Sequence, residues 1–570
     1  RGFIYFHLLP GLSIENTLSV DYSVYSAYQH WSGLSSYTTN RGGSSYRERD
    51  RGLTYTLNNL IRYSKGFGNH NISLFAGHEA YSYTWHGVDA SRTGFPTFSL
   101  IEVSAGSNLT GNGSWEDNHR IESYLSNVEY NYKDKYYFST SFRRDGTSRF
   151  SPDSRWGNFW SAGLSWRISE ESFMDNYTWL DNMTLRASYG TQGNERIAGY
   201  YAWLGLYNTT KDLGTSGFRL STLTNDALHW ESNIQANFGI EASILGRWNF
   251  SIEYFNRKSK DLLFNRELPL SSGLGSVAEN IGDVENKGIE LSVNSVNILM
   301  SDFRWETQLN ITSYKNVITS LPSKEISAGR HRYVVGRSVY DFYLRDYAGV
   351  NPENGNAMYF KDIYETDPMG DPVLDENGDP IVIGKETTEV LSEASFYYVG
   401  SALPDLYGNV VNSFYYKGFD LSFNMIYSIG GKLYDGVFAS LSRSGTRPET
   451  CAKAMVNHWT PENTDTDIPR MTDYGAIGNQ FFASSTRFLV DGTYLRLRNL
   501  TFGYTVPQNI VSRFNLSKVR IFFQGDNFIT IFKYGKNDRS LDPEVRLNGG
   551  ASTGDIPTPK IFSGGIQVTF

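Results

Sequence analysis

One cysteine, Cys451, stands among 570 residues, so no disulfide can close within the chain and a zinc site built on cysteines has no ligand set. Also missing is any apolar run near the ~18 residues that a transmembrane helix needs. Hydrophobic residues make up 39% of the chain and the mean hydropathy is −0.41, which excludes a helical membrane protein. Positive charge is not in excess: 52 Lys and Arg face 60 Asp and Glu, a formal net charge of −8, and a chain so balanced offers nucleic acid no general basic surface. Histidine is sparse and scattered, nine in all, with no serine-centred elbow, so no nucleophile–base pair is visible and the chain is not expected to be an enzyme. The opening Arg1-Gly2-Phe3-Ile4-Tyr5-Phe6 lacks the basic start, long apolar run and small-residue cleavage site of a secretory signal.

What the chain does have is aromatic and glycine-rich alternation. Aromatics reach 15%, with 39 Tyr and 35 Phe, beside 54 Gly. Trp230 to Ile244 sets Trp230, Ile234, Phe238, Ile240 and Ile244 on one parity, and Glu231, Asn233, Gln235, Asn237 and Glu241 on the other. A period of two makes a strand with one apolar and one wet face, and a strip of that length suits a bilayer-spanning strand, which needs roughly 9–11 residues. A chain of this length is too long for an ordinary single soluble core, but a membrane barrel escapes that limit because lipid covers its apolar face. The expected fold is therefore all-β, a transmembrane antiparallel β-barrel.

Similar strips recur at Leu12–Tyr28, Thr54–Tyr63, Asn71–Ala80, Tyr124–Tyr132, Tyr136–Arg144, Phe159–Ile168, Met183–Tyr189, Trp248–Arg257, Gly288–Val296, Arg304–Ser313, Val410–Tyr416, Phe419–Tyr427, Tyr494–Tyr504 and Val519–Phe528, and in a last strip that ends on Phe570. About sixteen strands are expected. Tight turns such as Lys133-Asp134-Lys135, Leu245-Gly246-Arg247 and Lys417-Gly418 alternate with long segments at Thr84–His119, Thr191–His229, Ser259–Asp283, Tyr347–Leu403 and Gly430–Arg487. Short turns on one side and long loops on the other are the habit of bacterial outer-membrane barrels. In Tyr494–Tyr504 the apolar parity switches between Leu497 and Leu500. Either a bulge near Asn499 resets the faces, or part of the strand stands clear of the membrane.

Several segments resemble the SusC/RagA family of TonB-dependent outer-membrane transporters of Bacteroidetes. These are Ile252-Glu253-Tyr254-Phe255-Asn256-Arg257, Asn286-Lys287-Gly288-Ile289-Glu290-Leu291, Gly349-Val350-Asn351-Pro352-Glu353-Asn354-Gly355, Ala402-Leu403-Pro404-Asp405-Leu406-Tyr407-Gly408, His458-Trp459-Thr460-Pro461-Glu462-Asn463, Asp491-Gly492-Thr493-Tyr494-Leu495-Arg496-Leu497-Arg498-Asn499, Gly525-Asp526-Asn527-Phe528 and Leu541-Asp542-Pro543-Glu544. The resemblance implies a 22-stranded barrel closed by an N-terminal plug. It implies a SusD-like surface lipoprotein as lid, a TonB complex pulling on the plug, contact with membrane lipid and lipopolysaccharide, and a dimer of SusC–SusD pairs. Residues 1–570 are expected to be the C-terminal part of such a barrel, with the plug, the TonB box and the first strands outside this sequence. The terminal Phe570 resembles the signal read by the barrel-assembly machinery.

Two chemistry-like motifs fail on context. His78-Glu79 opens like a zinc-protease motif but has no second histidine at helical spacing and lies on a strand pattern, and Gly273-Leu274-Gly275-Ser276-Val277-Ala278 has no strand–turn–helix around it. Asp371, Asp375, Asn377 and Asp379 place oxygen ligands at alternate positions beside glycine, a spacing that could hold calcium. The bidentate glutamate is missing at its position, and the plainer reading is a solvated acidic loop with Asx turns. No other metal, cofactor or catalytic residue is expected.

For substrate, the candidates are aromatics expected in long loops: Trp85, Trp115, Trp203 and Tyr207, whose faces can stack on sugar rings. The alternative for each is packing or interface-belt duty, and Trp459, inside a family motif, is expected to be structural. Glu231, Asn233, Gln235, Glu241, Asp420 and Asn424 are expected to face inward. The reading is nutrient import of oligosaccharides or oligopeptides. The alternatives are a siderophore or cobalamin receptor without a lid, and a surface adhesin.

Overall fold

The computed structural model describes residues 1–35, 41–196, 199–212, 214–442, 450–472, 483–533, 541–544, 550–552 and 556–570. Among these, strands dominate and no helix is long and apolar enough to cross a membrane. The large antiparallel sheet has seventeen strands, against about sixteen expected. They are β1 (Gly2–Leu9), β2 (Leu12–Trp31), β3 (Ser44–Phe67), β4 (His70–Thr93), β5 (Asn108–Tyr132), β6 (Tyr136–Thr147), β7 (Trp156–Arg167), β8 (Leu180–Asn194), β9 (Glu231–Ile244), β10 (Trp248–Lys260), β11 (Asp283–Leu299), β12 (Phe303–Ser320), β13 (Leu406–Tyr416), β14 (Phe419–Ile429), β15 (Tyr494–Thr505), β16 (Lys518–Phe532) and β17 (Ile561–Thr569). The chain divides into two compact units. One contains residues 1–175, 184–238 and 257–283, the other residues 176–183, 239–256 and 284–570.

In the first unit β1 to β8 form a meander in which each strand pairs with the next in sequence. In the turn Lys133-Asp134-Lys135 the first two residues have positive φ, 55° and 54°, the left-handed backbone of the primed hairpin turns whose twist matches the strands. Leu18, Val20, Tyr22 and Val24 on β2, and Leu53, Tyr55, Leu57 and Ile61 on β3, are all exposed on one face. The other face is polar and internally paired. Arg62 reaches Glu15 at 2.8 Å, and Arg143 reaches Glu79 at 2.9 Å and Asp145 at 2.7 Å. Exposed apolar and paired polar side chains alternate as a wall between lipid and water requires. Off the wall, Phe150, Leu228 and Ala278 form a small core with Trp203 and Trp230 against it.

Strands β2 to β5 run longer than their apolar strips. The connection expected at Thr84–His119 is corrected here: β4 and β5 stay in register as far as Thr93 and Asn108, leaving only residues 94–107 between them. The segments at Thr191–His229 and Ser259–Asp283 carry hairpins of their own, Tyr207–Asp212 with Thr215–Leu220 and Leu263–Glu267 with Ser276–Asn280.

In the second unit β12 to β17 continue the meander. The register of β14 on β15 jumps between Asn424 and Met425, where Asn499 is followed by Leu497 as partner. Arg498 is the extra residue of a bulge, which is why Leu495 and Phe502 are both exposed despite opposite parity. The long connections build a packed layer from short strands at Asp341–Arg345, Ala357–Tyr364 and Phe396–Ser401, with Phe342, Leu344, Tyr434, Phe438 and Phe488 as its core. Residues 443–449 and 473–482 of the expected Gly430–Arg487 segment lie outside the described residues.

Candidate functional site

The first unit gathers two of the four candidate aromatics. Trp85 and Trp115 lie on β4 and β5 rather than in a loop. Trp85 stands opposite Gly52 and Trp115 opposite Gly87, so both rings belong to the polar face. A methyl on Gly52 would come within 2.5 Å of the Trp85 ring, and one on Gly87 within 2.2 Å of the Trp115 ring. Each indole therefore occupies the space a neighbouring side chain would take. Asp50 lies beside them, 5% exposed, and its Oδ1 has no hydrogen-bond partner among the described residues.

The aromatic row continues from Trp85. Tyr83 stacks on Trp85 with centroids 6.2 Å apart and 17° between planes, and Tyr200 tilts against Tyr83 at 6.0 Å. Tyr200 meets His119 at 5.6 Å and the Arg149 guanidinium at 4.5 Å. Glu195 closes the row, with His119 Nε2 at 3.0 Å and Arg149 Nε at 3.7 Å. Burial alone would raise the Glu195 carboxyl, but hydrogen bonds from His119 and Thr147 and the charges of His119 and Arg149 outweigh it and hold it below the usual range. Stacked rings interleaved with acids can hold a sugar face or a cationic or aromatic peptide side chain.

The other candidates separate. Trp203 packs on the Phe150–Leu228–Ala278 core. Tyr207, 65% exposed, opens the outlying hairpin Tyr207–Asp212. Trp459 donates Nε1–H to the Pro352 carbonyl at 3.1 Å and fills the space over Gly355, the structural role expected of it. In the acidic segment, Asp367 Oδ1 accepts from Met369 N and Asp371 N, both at 2.9 Å, and Asp375 Oδ1 accepts from Asn377 N and Asp379 N, both at 2.8 Å. These are Asx turns, and Lys324 pairs with Asp379 at 2.6 Å. Among the described residues no group of three or more His, Cys, Asp or Glu could hold a metal ion.

The residues expected inward sit in polar networks. Glu231 accepts from Asn194 and Asn233, each at 3.2 Å, and Gln235 donates to Asn237 at 3.0 Å. Asp420 pairs with Arg520 at 2.5 Å. Glu241 lies on β9, and Asn424 on β14 has a buried Oδ1 without a partner among the described residues.

The second unit holds a cavity of about 540 Å³ whose lining includes Tyr314, Tyr340, Tyr407, Tyr427 and Tyr494. Pro543 and Glu544 reach this cavity, and their loop is clamped by Arg496. That guanidinium is 4% exposed and bonds Asp542, and also Glu544 at 2.5 Å, while Arg498 adds a bond to Glu544 at 2.7 Å. Burial would raise the Asp542 carboxyl, but the backbone N–H groups of Glu544 and Thr558, with Arg496, hold it below the usual carboxylate range. Sequence reading missed Asp50, Glu195 and Arg496 as site residues. Only Arg496 left a signal, since it shares the polar parity of Tyr494–Arg498.

Comparison with known proteins completes the description. Residues 6–528 match the family model described as TonB dependent receptor-like, beta-barrel. The chain is 32% identical over 558 residues to TonB-dependent receptor P3 of Formosa agariphila, covering 91% of this chain and 53% of that protein. It is 25% identical over 590 residues to TonB-dependent receptor SusC of Bacteroides thetaiotaomicron, covering 99% of this chain and 55% of that protein. The chain thus spans about half the length of the curated relatives it matches. Its fold is similar to that in the structure of the RagAB peptide transporter, with a TM-score of 0.82 at 23% identity over 100% of this chain and 61% of that one.

Proposed function

Because the chain belongs to the TonB dependent receptor-like β-barrel family of the outer membrane, we propose that it forms the wall and external connections of an importer that moves oligosaccharides or oligopeptides into the periplasm. The observation that carries the reading is the segregation of faces in the first unit. An exposed apolar face backs a polar face, which bears Trp115, Trp85, Tyr83 and Asp50 and is met by Tyr200 and Glu195 from the connection after β8. Cargo would meet Trp85 and Trp115, while the exposed Tyr207 would meet it at the rim and Trp203 would hold the loop.

The rest of the machine is part of the same proposal. A plug and a TonB contact would be supplied by protein outside residues 1–570, and import would draw on the inner membrane's proton gradient. This chain would need no resident cofactor, and the Asp371–Asp379 turns would need no calcium. A SusD-like lipoprotein would cover the long connections, a choice supported by the similarity to TonB-dependent receptor SusC, and two such pairs would form the assembly. The test is growth and labelled-cargo uptake of a deletion strain on a panel of polymers, with and without a protonophore. Loss of growth on one glycan or peptide class, matched by protonophore-sensitive uptake, is expected. A deletion strain that takes up every polymer normally would overturn the importer reading, and intact purified protein without a co-purifying lipoprotein would favour the lidless siderophore-type receptor.

A further inference from the structure

On β3 the apolar face changes character at one residue. Ile61, Leu57, Tyr55 and Leu53 are exposed and apolar, and the next three outward positions are Arg51, Arg49 and Arg47, all exposed. Leu53–Ile61 spans about 27 Å along the strand, or about 20 Å of height at a tilt of ~40°, close to the ~25 Å apolar band of an outer-membrane barrel. The arginines stand immediately beyond the apolar run of β3, at its upper margin, where Val24 pairs with Arg51 and Val88 with Arg49; Tyr22, which pairs with Leu53, and Tyr55 lie just below, where aromatic belts sit.

The end of the strand is identified by its connections. Residues 32–43 and 94–107 join strands at the arginine end, while β3 turns tightly into β4 at the other, where Phe67 pairs with His70. Long connections face outward in these barrels, so the arginines meet the outer leaflet. Arg47 is engaged, with Glu102 at 2.6 Å and its guanidinium 4.2 Å from the Tyr28 ring. Arg49 and Arg51 have no ion pair or side-chain hydrogen bond among the described residues. The carboxylate that shares their face through the register Arg51, His86, Glu116 is taken up by His86 at 3.3 Å.

We propose that Arg49 and Arg51 bind the phosphate of a phosphorylated lipid headgroup in the outer leaflet, on the lipid-facing side of the wall and apart from any cargo path. The two side chains are about 7 Å apart along the strand, and guanidinium forks are suited to phosphate oxygens. The acyl chains below would lie on Leu53, Tyr55, Val20 and Tyr22.

The test uses the intact protein in detergent and a fluorescent bis-phosphorylated lipid A. R49A/R51A is expected to weaken binding about 30-fold, from two charges lost at an anionic lipid surface. R49K/R51K, which keeps both charges but loses the guanidinium forks, should bind between wild type and R49A/R51A, and K65A, at the tight-turn end of the same face, should retain all of the affinity. The dephosphorylated lipid should bind wild type as weakly as the intact lipid binds R49A/R51A, and millimolar inorganic phosphate should not displace the lipid. Equal binding of both lipids by wild type, unchanged binding by R49A/R51A, or equal loss in K65A would each overturn the proposal, as would displacement by free phosphate, which would mark an anion site without lipid. Heat-modifiable gel migration verifies the fold of each variant. The single variants R49A and R51A, each removing one exposed charge, carry the test if the double variant misfolds.

Discussion

Arg520 reaches over Gly503 to grip Asp420, with Nε 3.0 Å from Oδ1 and Nη2 2.5 Å from Oδ2. Gly503 lies on β15, between Asp420 on β14 and Arg520 on β16. A methyl on Gly503 would fall 2.5 Å from Arg520 Nη2 and 2.6 Å from Asp420 Oδ1. The glycine is the gap that lets an ion pair tie two strands that do not touch each other in the ladder. Both partners are about one-fifth exposed, so solvent screens the pair and its worth is at the low end for half-buried ion pairs.

Two glycines of the same sheet should therefore respond differently to one added methyl. In Gly503→Ala the atoms in the way are tips of flexible side chains, which can swing apart at a cost of about 1 kcal/mol. Gly408→Ala would put its methyl 1.9 Å from the Asn310 carbonyl oxygen, a backbone atom, and 2.7 Å from Tyr427 Oη, which donates to that same carbonyl. The carbonyl cannot retreat without disturbing the β12–β13 ladder, and a cost of about 3 kcal/mol is expected, at the upper end for overpacking. The temperature at which each variant loses its compact gel migration measures the difference. Equal midpoints for the two variants would contradict the argument.

The loop Leu541–Glu544 should be released by acid and by loss of its clamp. Asp542 has a folded-state pKa below its unfolded value of ~3.9, so its contribution is fully present above that value and is lost as pH falls through the folded pKa. Peptic cleavage within 541–544 should stay low above about pH 4 and rise only as the pH falls below the unfolded carboxylate range. Asp542→Asn should expose the loop to a neutral protease at pH 7, because the buried Arg496 then keeps only Glu544 as a charged partner and the N–H groups of Glu544 and Thr558 lose their carboxylate acceptor, a loss of about 1.5–3 kcal/mol. Cleavage independent of pH, or unaffected by the substitution, would count against the clamp.

How much of this was legible follows from where lipid enforces a pattern. Within the band, parity is set by hydrocarbon on one side and water on the other, so Leu12–Tyr28 and Trp230–Ile244 could be read from alternation, and the parity switch in Tyr494–Tyr504 narrowed to two readings, of which the register selects the bulge, at Arg498. Above the band neither face is apolar. Glu48, Arg49, Asp50 and Arg51 on β3 and Trp85 to Asp89 on β4 show no alternation, so the start of β3 carried no strand signal and the ends of β4 and β5 that face each other read as loop where they are paired strand. Gly52 and Gly87 have no side chain to contribute to an alternating pattern, although they make room for tryptophans. Strand β1 escaped notice because Phe3, Ile4, Tyr5 and Phe6 are apolar on both faces. The row from Trp85 to Glu195 could not be foreseen, since Glu195 meets His119 across 76 positions of sequence that no local pattern connects.

Gly87→Ala separates a binding role for Trp115 from a packing one. The new methyl would lie 2.2 Å from the indole and 2.6 Å from Asp50 Oδ1, and a rigid ring cannot bend away, so Trp115 must leave its place while keeping its surface. Tryptophan emission should shift to the red as the ring enters water. If the ring contacts cargo, uptake should fall about three- to tenfold, the worth of one aromatic contact, with surface abundance unchanged. Trp115→Phe in the wild-type background should retain part of the uptake, because a smaller ring still fits over Gly87. If Trp115 serves only to cover Asp50, Gly87→Ala should lower abundance, and uptake per molecule should stay constant. The ratio of uptake to abundance thus decides which role the indole plays.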